Sequence, residues 1–344
     1  MYRFTNDYSE AAHPALLQAI AETSTQGNFG YGTDPYTAQA THLIQSLCKA
    51  PTAQVHFLVG GTQTNLIAIS SFLRPHQAVI SAETGHICTH ETGAIEATGH
   101  KCIAVPTPSG KLTLALIAQI VAQHTDEHMV QPKMVYISNS TEMGEFYTTQ
   151  ELKQLKDICQ NLGLFLYLDG ARLATALAAK ATTLPDIAQY CDAFYIGGTK
   201  NGALFGEALV IVNPILQSDI RYCIKQKGGL LAKGWLLGLQ FLKLMENNME
   251  LYLSLAQHAN TLALQLKDGI QTLGYEFLSD STSNQQFPIL PNSILHQLKE
   301  NFHWEEMGSF GSDKTIIRLV TSWATSPQAV DAFLQALNKV HTLS

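Results

Sequence analysis

The sequence predicts an α/β fold in which helices cover a mostly parallel, doubly wound sheet, followed by a smaller C-terminal α+β unit. From about residue 36, short apolar runs alternate with helix-length segments, which is the pattern of β-α units. Beyond Asn213 this alternation gives way to one long helical stretch. The 344 residues also exceed the usual size of one hydrophobic core, so we expect a large domain with a smaller partner.

The elements follow in chain order. An N-terminal arm contains one short helix near Pro14 to Thr23, and it ends in a loop rich in glycine and aromatic residues, Gly27 to Pro35. The pattern then predicts a helix at 36–49, a strand at 54–59, a helix at 63–73, a strand at 78–81, a helix at 88–98, a strand at 101–105, a helix at 113–124 and a strand at 133–138. Thr148 and Glu151 form a capping-box sequence that begins the next helix, which Gly163 ends before a strand at 164–168.

The second half is predicted in less detail. A strand covers Ala193 to Ile196, a long helix covers about 234–270, a further strand covers Ile316 to Val320, and a closing helix begins at Pro327. We expect three divisions of the chain: an arm at 1–35, a large domain at 36–245 and a smaller domain at 246–344.

Composition excludes several classes of protein. The net charge of −7 argues against nucleic acid or an anionic membrane surface as the main partner. No apolar run has the length of a membrane span, and the N-terminus lacks the apolar core of a signal peptide, so a cytoplasmic enzyme is expected. The six cysteines have no CxxC spacing and predict free thiols, with no metal site.

Two strand ends present one charged residue each. Asp169 follows the apolar run Phe165 to Leu168, and Lys200 follows Ala193 to Ile196 and a pair of glycines. Ligands of open α/β sheets bind at the carboxyl ends of strands, and pyridoxal phosphate uses both a lysine amine and a carboxylate. Taken singly, Asp169 is better explained as a helix cap and Lys200 as an exposed loop residue.

Other residues support a site at the same edge. Gly61 and Thr62 stand between a strand and a helix, where a phosphate would be stabilised, although such a turn often has no ligand. His86 follows another strand and has the chemistry to stack on a ring or move a proton, but thirteen histidines leave it undistinguished by spacing. Arg172 and Arg318 have the geometry to grip a substrate carboxylate, while Arg318 is equally explained by a structural ion pair.

These motifs, in this order, resemble the threonine aldolase and β-eliminating lyase group of fold-type I pyridoxal-phosphate enzymes. The similarity covers nearly the whole chain, from Asn6-Asp7 and Tyr31 through Asp169-Gly170-Ala171-Arg172 and Thr199-Lys200 to Arg318. It implies that Lys200 bonds the cofactor aldehyde, that Asp169 pairs with the pyridine nitrogen, that His86 stacks on the ring, and that Gly61 with Thr62 binds the phosphate. Arg172 and Arg318 would hold the substrate carboxylate, with Asn6, Tyr31 and Glu142 also at the substrate.

The implied reaction is cleavage of a β-hydroxy-α-amino acid, such as threonine, allo-threonine or phenylserine, to glycine and an aldehyde by a homodimer or homotetramer with shared sites. The chain departs from the group's pattern at two positions. Asn6 stands where many members carry serine, and Glu142 stands in the segment where they carry a histidine near the substrate hydroxyl. The alternatives are a β-eliminating lyase or an aminotransferase on the same fold, or a non-catalytic binding protein.

Overall fold

The computed structural model describes residues 1–343, and its large domain is a seven-stranded sheet between helices. The elements of this region, in chain order, are β1 Tyr2–Arg3, α1 Pro14–Thr23, α2 Pro35–Leu47, β2 Gln54–Leu58, α3 Gly61–Phe72, β3 Gln77–Ala82, α4 His86–Thr89, β4 Lys101–Val105, α5 Leu114–Gln123, β5 Gln131–Ser138, α6 Thr149–Asn161, β6 Phe165–Asp169, α7 Leu173–Ala178, α8 Leu184–Tyr190, β7 Ala193–Gly197, β8 Glu207–Ile211 and α9 Ile220–Gln226.

The strand order of the large sheet is β2-β8-β7-β6-β5-β3-β4. The pairs among β3, β4, β5, β6 and β7 are parallel, whereas β8 runs antiparallel to both of its neighbours. The predicted α/β class with a mostly parallel sheet is therefore confirmed. The strand order reverses direction between β3 and β5, and the carboxyl ends of the parallel strands β3 to β7 lie at one edge of the sheet.

Both faces of this sheet are buried, which explains its nearly continuous apolar strands. Along β5, Val135 and Ile137 pack in one hydrophobic cluster, while Met134 and Tyr136 pack in another on the opposite face. The predicted capping box is present at the start of α6, because Thr148 accepts from Glu151 N and Glu151 accepts from Thr148 N. Gly163, with a φ of 66°, then turns the chain into β6.

The predicted helix at 88–98 is wrong. The segment contains only the four-residue helix α4 and a short 3₁₀ turn at Glu96–Thr98. Thr92 and Gly93 separate them with φ values of 54° and 68°, which lie in the left-handed region and interrupt helical hydrogen bonding. The composition of the segment is compatible with a helix, but Gly93 and the polar run before it end α4 after one turn.

The C-terminal part packs a small antiparallel sheet against helices. Its elements are α10 Trp235–Thr272, β9 Gln285–Gln286, β10 Ile289–Pro291, α11 Asn292–Leu298, β11 Phe302–His303, β12 Glu305–Phe310, β13 Lys314–Val320 and α12 Pro327–Leu343. The long helix α10 has non-helical backbone at 246–249, beside the predicted domain boundary, and the division into domains stays a prediction. Within residues 1–343, no helix is both long and apolar enough to cross a membrane.

Candidate active site

A cavity of about 340 Å³ opens at the carboxyl edge of the large sheet. Strand register brings its polar residues together, because Ser138 of β5 pairs with Asp169 of β6, and Leu168 pairs with Phe194 of β7. Most of the residues that the sequence predicts for the site line this cavity, namely Gly61, Thr62, His86, Glu142, Asp169, Arg172 and Lys200.

The buried Asp169 carboxylate accepts four hydrogen bonds. Oδ1 accepts from Tyr195 Oη at 2.5 Å and from Ala171 N at 3.0 Å. Oδ2 accepts from Tyr136 Oη at 2.6 Å and from Asn65 Nδ2 at 2.9 Å. Burial alone would raise the pKa of Asp169, but these donors outweigh it and hold the pKa below its ordinary value. The cavity wall therefore carries a fixed negative charge.

Lys200 lies directly after the turn that leaves β7. Burial, together with the positive charge of Arg172, lowers the pKa of the Lys200 amine below its ordinary value. Glu207 of β8 also lines the cavity and holds this turn, since its Oε1 accepts from Thr199 Oγ1 at 2.7 Å and its Oε2 accepts from Gly198 N at 3.0 Å. Burial raises the pKa of Glu207 to about 8. Burial therefore favours the uncharged form of both groups.

The start of α3 faces the same cavity. Gly61 is its first residue, Gly60 at the cap has no side chain, and Thr62 lines the cavity with both glycines. A Cβ on Gly61 would lie 3.0 Å from Tyr195 Oη, so a side chain there would crowd the residue that supports Asp169. Backbone N–H groups at such a helix start favour an anion.

His86 and Glu142 also line this cavity. His86 Nδ1 lies 2.8 Å from Glu91 Oε1, which fixes the ring, and His86 N donates to Glu142 Oε1 at 3.0 Å. Glu142 Oε1 also accepts from Ser138 Oγ at 2.7 Å. Burial raises the pKa of Glu142 above its ordinary value, with the Asp169 charge adding to the effect. The Glu142 carboxylate is therefore a stronger base than that of an ordinary glutamate.

A second cavity of about 500 Å³ adjoins the first and shares His86, Glu142, Arg172 and Lys200 with it. The Arg172 guanidinium is gripped by Asp7, which accepts from Nε at 2.7 Å and from Nη2 at 3.0 Å. Arg318 lines only the second cavity, and its Nη2 is ion-paired with Glu305. Each arginine is thus held by one carboxylate of the protein itself.

Two predicted residues lie outside both cavities. Asn6 accepts from Tyr8 N and Ser9 Oγ, both at 3.0 Å, and so closes a local turn. Tyr31 is 46% exposed and stands over Lys225, whose Nζ is 4.6 Å from the centre of its ring. Within this one chain, neither residue contributes to the cavity wall.

Several residues of the site were not predicted. Asp7, Asn65, Tyr136, Tyr195, Glu207 and His90 hold or line the cavity. His90 follows His86 by four residues, a helical spacing that was available in the sequence, and it lines both cavities. The two tyrosines occupy strand positions that only the sheet register connects with Asp169. Asp7 comes from the N-terminal arm, whose path has no local signal.

Comparison with known proteins agrees with this arrangement. The beta-eliminating lyase family profile matches residues 7–291. A low specificity L-threonine aldolase from a Pseudomonas species is 32% identical over 333 residues, covering 95% of this chain and 94% of the relative.

Among solved structures, a threonine aldolase from Leishmania major superposes with a TM-score of 0.97 and 48% sequence identity, covering 99% of this chain and all of that one. A putative L-allo-threonine aldolase from Listeria monocytogenes has a TM-score of 0.74 at 17% identity, covering 98% and 96% of the two chains, and this likeness concerns the fold alone.

Proposed function

The chain belongs to the beta-eliminating lyase family, and from this premise we propose that it is a pyridoxal-phosphate-dependent aldolase of the threonine aldolase type. Its substrate would be a β-hydroxy-α-amino acid, which it cleaves to glycine and an aldehyde. The observation that carries this function is the ionised, fourfold hydrogen-bonded Asp169 in one cavity with Lys200.

The residues present fit pyridoxal phosphate. Asp169 has a lowered pKa and offers the carboxylate that a pyridinium nitrogen needs. Lys200 has an amine with a lowered pKa, which favours the unprotonated form that bonds an aldehyde. The start of α3, with Gly61 and Thr62, offers N–H groups and a hydroxyl for the phosphate, and the His86 ring would lie against the cofactor ring.

The bound cofactor would supply an electron sink for the pair released from the bond to Cα. Asp169 would stabilise that sink by its fixed charge, which costs no rearrangement during the reaction. Arg172 and Arg318 would bind the substrate carboxylate and so orient the bond that breaks. Because Asp7 already fixes the Arg172 guanidinium, little side-chain freedom is lost on binding.

Cleavage of the Cα–Cβ bond needs a base for the β-hydroxyl proton. Glu142 lines both cavities, its pKa is raised by burial, and it takes the place that the family resemblance gives to a histidine. We propose that Glu142 accepts this proton while the aldehyde forms, after which Cα receives a proton to give glycine. His90 lines the same two cavities, with its ring 5.5 Å from that of His86, and is available to bind the same hydroxyl.

The test is a substrate panel on the protein reconstituted with pyridoxal phosphate. L-threonine, L-allo-threonine and phenylserine are offered separately, and glycine and aldehyde are assayed. Equal amounts of the two products support the aldolase. Formation of 2-oxobutanoate from either threonine, or of phenylpyruvate from phenylserine, together with ammonia indicates elimination instead. Transfer of the amino group to a keto acid indicates an aminotransferase, and no product with any substrate would refute the proposal.

We further propose a homodimer or homotetramer in which the exposed pair Tyr31 and Lys225 completes the cavity of a neighbouring subunit. Both residues are exposed, and neither lines the cavities of its own chain, which supports this. Two inactive variants, Lys200→Ala and Tyr31→Ala, should recover activity when mixed and reassembled, because one of the mixed sites is intact. No recovery in verified mixed oligomers would contradict shared sites.

The free thiols of all six cysteines support a cytoplasmic location, which fractionation tests.

A further inference from the structure

Buried polar atoms without a hydrogen-bond partner among residues 1–343 occur in three side chains of the small sheet: Gln286, through its Oε1 alone, and, at the second cavity, Gln285 and Arg318. The Gln285 side chain is 0% exposed, yet neither its Oε1 nor its Nε2 is bonded, and the Nε of Arg318 is likewise unpartnered. Both residues line the second cavity. Buried polar groups are paired in most native structures, so each exception calls for a ligand or another reason.

Strand geometry places the two groups on the same face of the sheet. In β13, Ile317 and Leu319 belong to the hydrophobic cluster of the small domain, so Arg318 and Val320 point to the opposite face. Gln285 of β9 pairs with Val320 in antiparallel register. Gln285 is therefore diagonal to Arg318 across this strand pair, a separation that long side chains span.

The unpartnered N–H groups of Arg318 and Gln285 fit one kind of ligand, whereas Gln285 Oε1 is a separate acceptor. Arg318 Nε–H and Gln285 Nε2–H are both donors, and a carboxylate is a planar group that only accepts and has two oxygens to share between them. The charges around the second cavity are compatible with a carboxylate ligand. Arg318 is ion-paired with Glu305, and Arg172 is ion-paired with Asp7. Because the Gln285 amide is neutral, it would donate a hydrogen bond to the anion without adding another charge to this region.

We propose that Gln285 is a substrate-binding residue whose amide donates, beside Arg318 Nε, to the α-carboxylate of the bound amino acid. This rests on the proposed function only in that the ligand is an α-amino acid. A polar side chain that serves ligand binding makes no hydrogen bond in the unliganded protein. Replacing Gln285 with an apolar side chain of equal length should therefore weaken ligand binding without lowering the stability of the fold.

The test compares Gln285→Met with the wild type, both loaded with pyridoxal phosphate. Dissociation constants for glycine and L-serine are measured by calorimetry or from the absorbance of the bound cofactor. Loss of one hydrogen bond to a charged group predicts about tenfold weaker binding of both ligands. Gln285→Glu, which places a negative charge there, should weaken both further.

Thermal unfolding of the unliganded variants separates binding from a structural role. Gln240 is the matched control, because it is also buried but is fully bonded: Oε1 accepts from Leu204 N at 2.7 Å and Nε2 donates to Leu236 O at 3.1 Å. Gln240→Met should lower the unfolding temperature, whereas Gln285→Met should leave it unchanged or raise it. Equal destabilisation of the two variants would overturn the proposal.

The ligand pair distinguishes the group that Gln285 contacts. Weaker binding of L-serine with unchanged binding of glycine would assign Gln285 to the hydroxyl and overturn the carboxylate assignment. Unchanged binding of both ligands would overturn it too. A wild type that binds both ligands but releases no aldehyde from any panel substrate would refute the aldolase, and the comparison of Gln285→Met with the wild type would remain valid. A wild type that does not bind glycine would overturn both the aldolase and the role of Gln285.

Discussion

Replacement of Asp7 tests how the N-terminal arm serves the site. Asp7 is 1% exposed. Its carboxylate accepts two hydrogen bonds from Arg172 and a third from Asn284 Nδ2 at 2.9 Å. Burial would raise the pKa of Asp7, but the charges of Arg172 and Lys200, together with the hydrogen bonds from Arg172 and Asn284, outweigh burial and lower it. Asp7→Ala leaves a buried guanidinium without its counter-charge, which typically costs about 3–5 kcal/mol.

This cost converts to a measurable temperature shift. An unfolding entropy of about 2.1 cal/mol/K per residue gives about 0.7 kcal/mol/K for 344 residues. If the chain unfolds as one unit, the loss corresponds to ~4–7 °C in the unfolding temperature of the protein without cofactor, as followed by circular dichroism. Glycine should also bind more weakly to the loaded variant, because Arg172 is no longer oriented.

The control is Glu306→Gln, which breaks the exposed ion pair with Lys299 and should cost less than about 1 kcal/mol. Because the folded pKa of Asp7 is depressed, its contribution is present above the ordinary value of 3.8 and is lost as the pH falls through the folded pKa. The difference between wild type and Asp7→Asn should therefore shrink in acid. An Asp7→Ala protein with the unfolding temperature and glycine affinity of the control would refute the reasoning.

Three further predictions concern single positions. Glu142→His should change the ratio of the rates on L-threonine and L-allo-threonine, measured as aldehyde release. An unchanged ratio would show that Glu142 does not contact the substrate. Glu207 has a folded pKa of about 8, against an ordinary value of 4.5, so the free energy of unfolding should fall as the pH rises from 4.5 towards 8. Glu207→Gln should remove this fall when unfolding is measured across the same pH range. A variant with the pH profile of the wild type would contradict the prediction. A Cβ on Gly170 would lie 1.8 Å from Tyr195 O, so Gly170→Ala should prevent stable folding, while Gly27→Ala, with no atom within 4 Å of the added carbon, should not; normal unfolding of both would contradict the steric account.

The order of strands and helices along the large domain was largely predictable, because apolar runs and glycine breaks are local signals. Asp169 and Lys200 were predictable for the same reason, since each follows an apolar strand. The helix at 88–98 was not, because the left-handed backbone at Thr92 and Gly93 depends on the surrounding fold. The strand β8, which carries Glu207, was also not among the predicted elements.

The environment of the charged residues required the structure. Tyr136, Tyr195 and Asn65 reach Asp169 from three separate elements, and no local pattern connects them. Asp7 meets Arg172 across 165 positions of the chain. The unpartnered amide of Gln285 became apparent only when the register of β9 and β13 was known. Sequence patterns locate charged side chains at strand ends, whereas their partners follow from tertiary packing.

The most direct test of the central claim is to map the cofactor attachment site. The protein is incubated with pyridoxal phosphate, reduced with borohydride, digested and analysed by mass spectrometry, with Lys200→Ala treated in parallel. The account predicts one phosphopyridoxyl group on Lys200 in the wild type and none at the corresponding peptide of the variant. Modification of a different lysine, or no modification at saturating cofactor, would contradict the assignment of this cavity to pyridoxal phosphate.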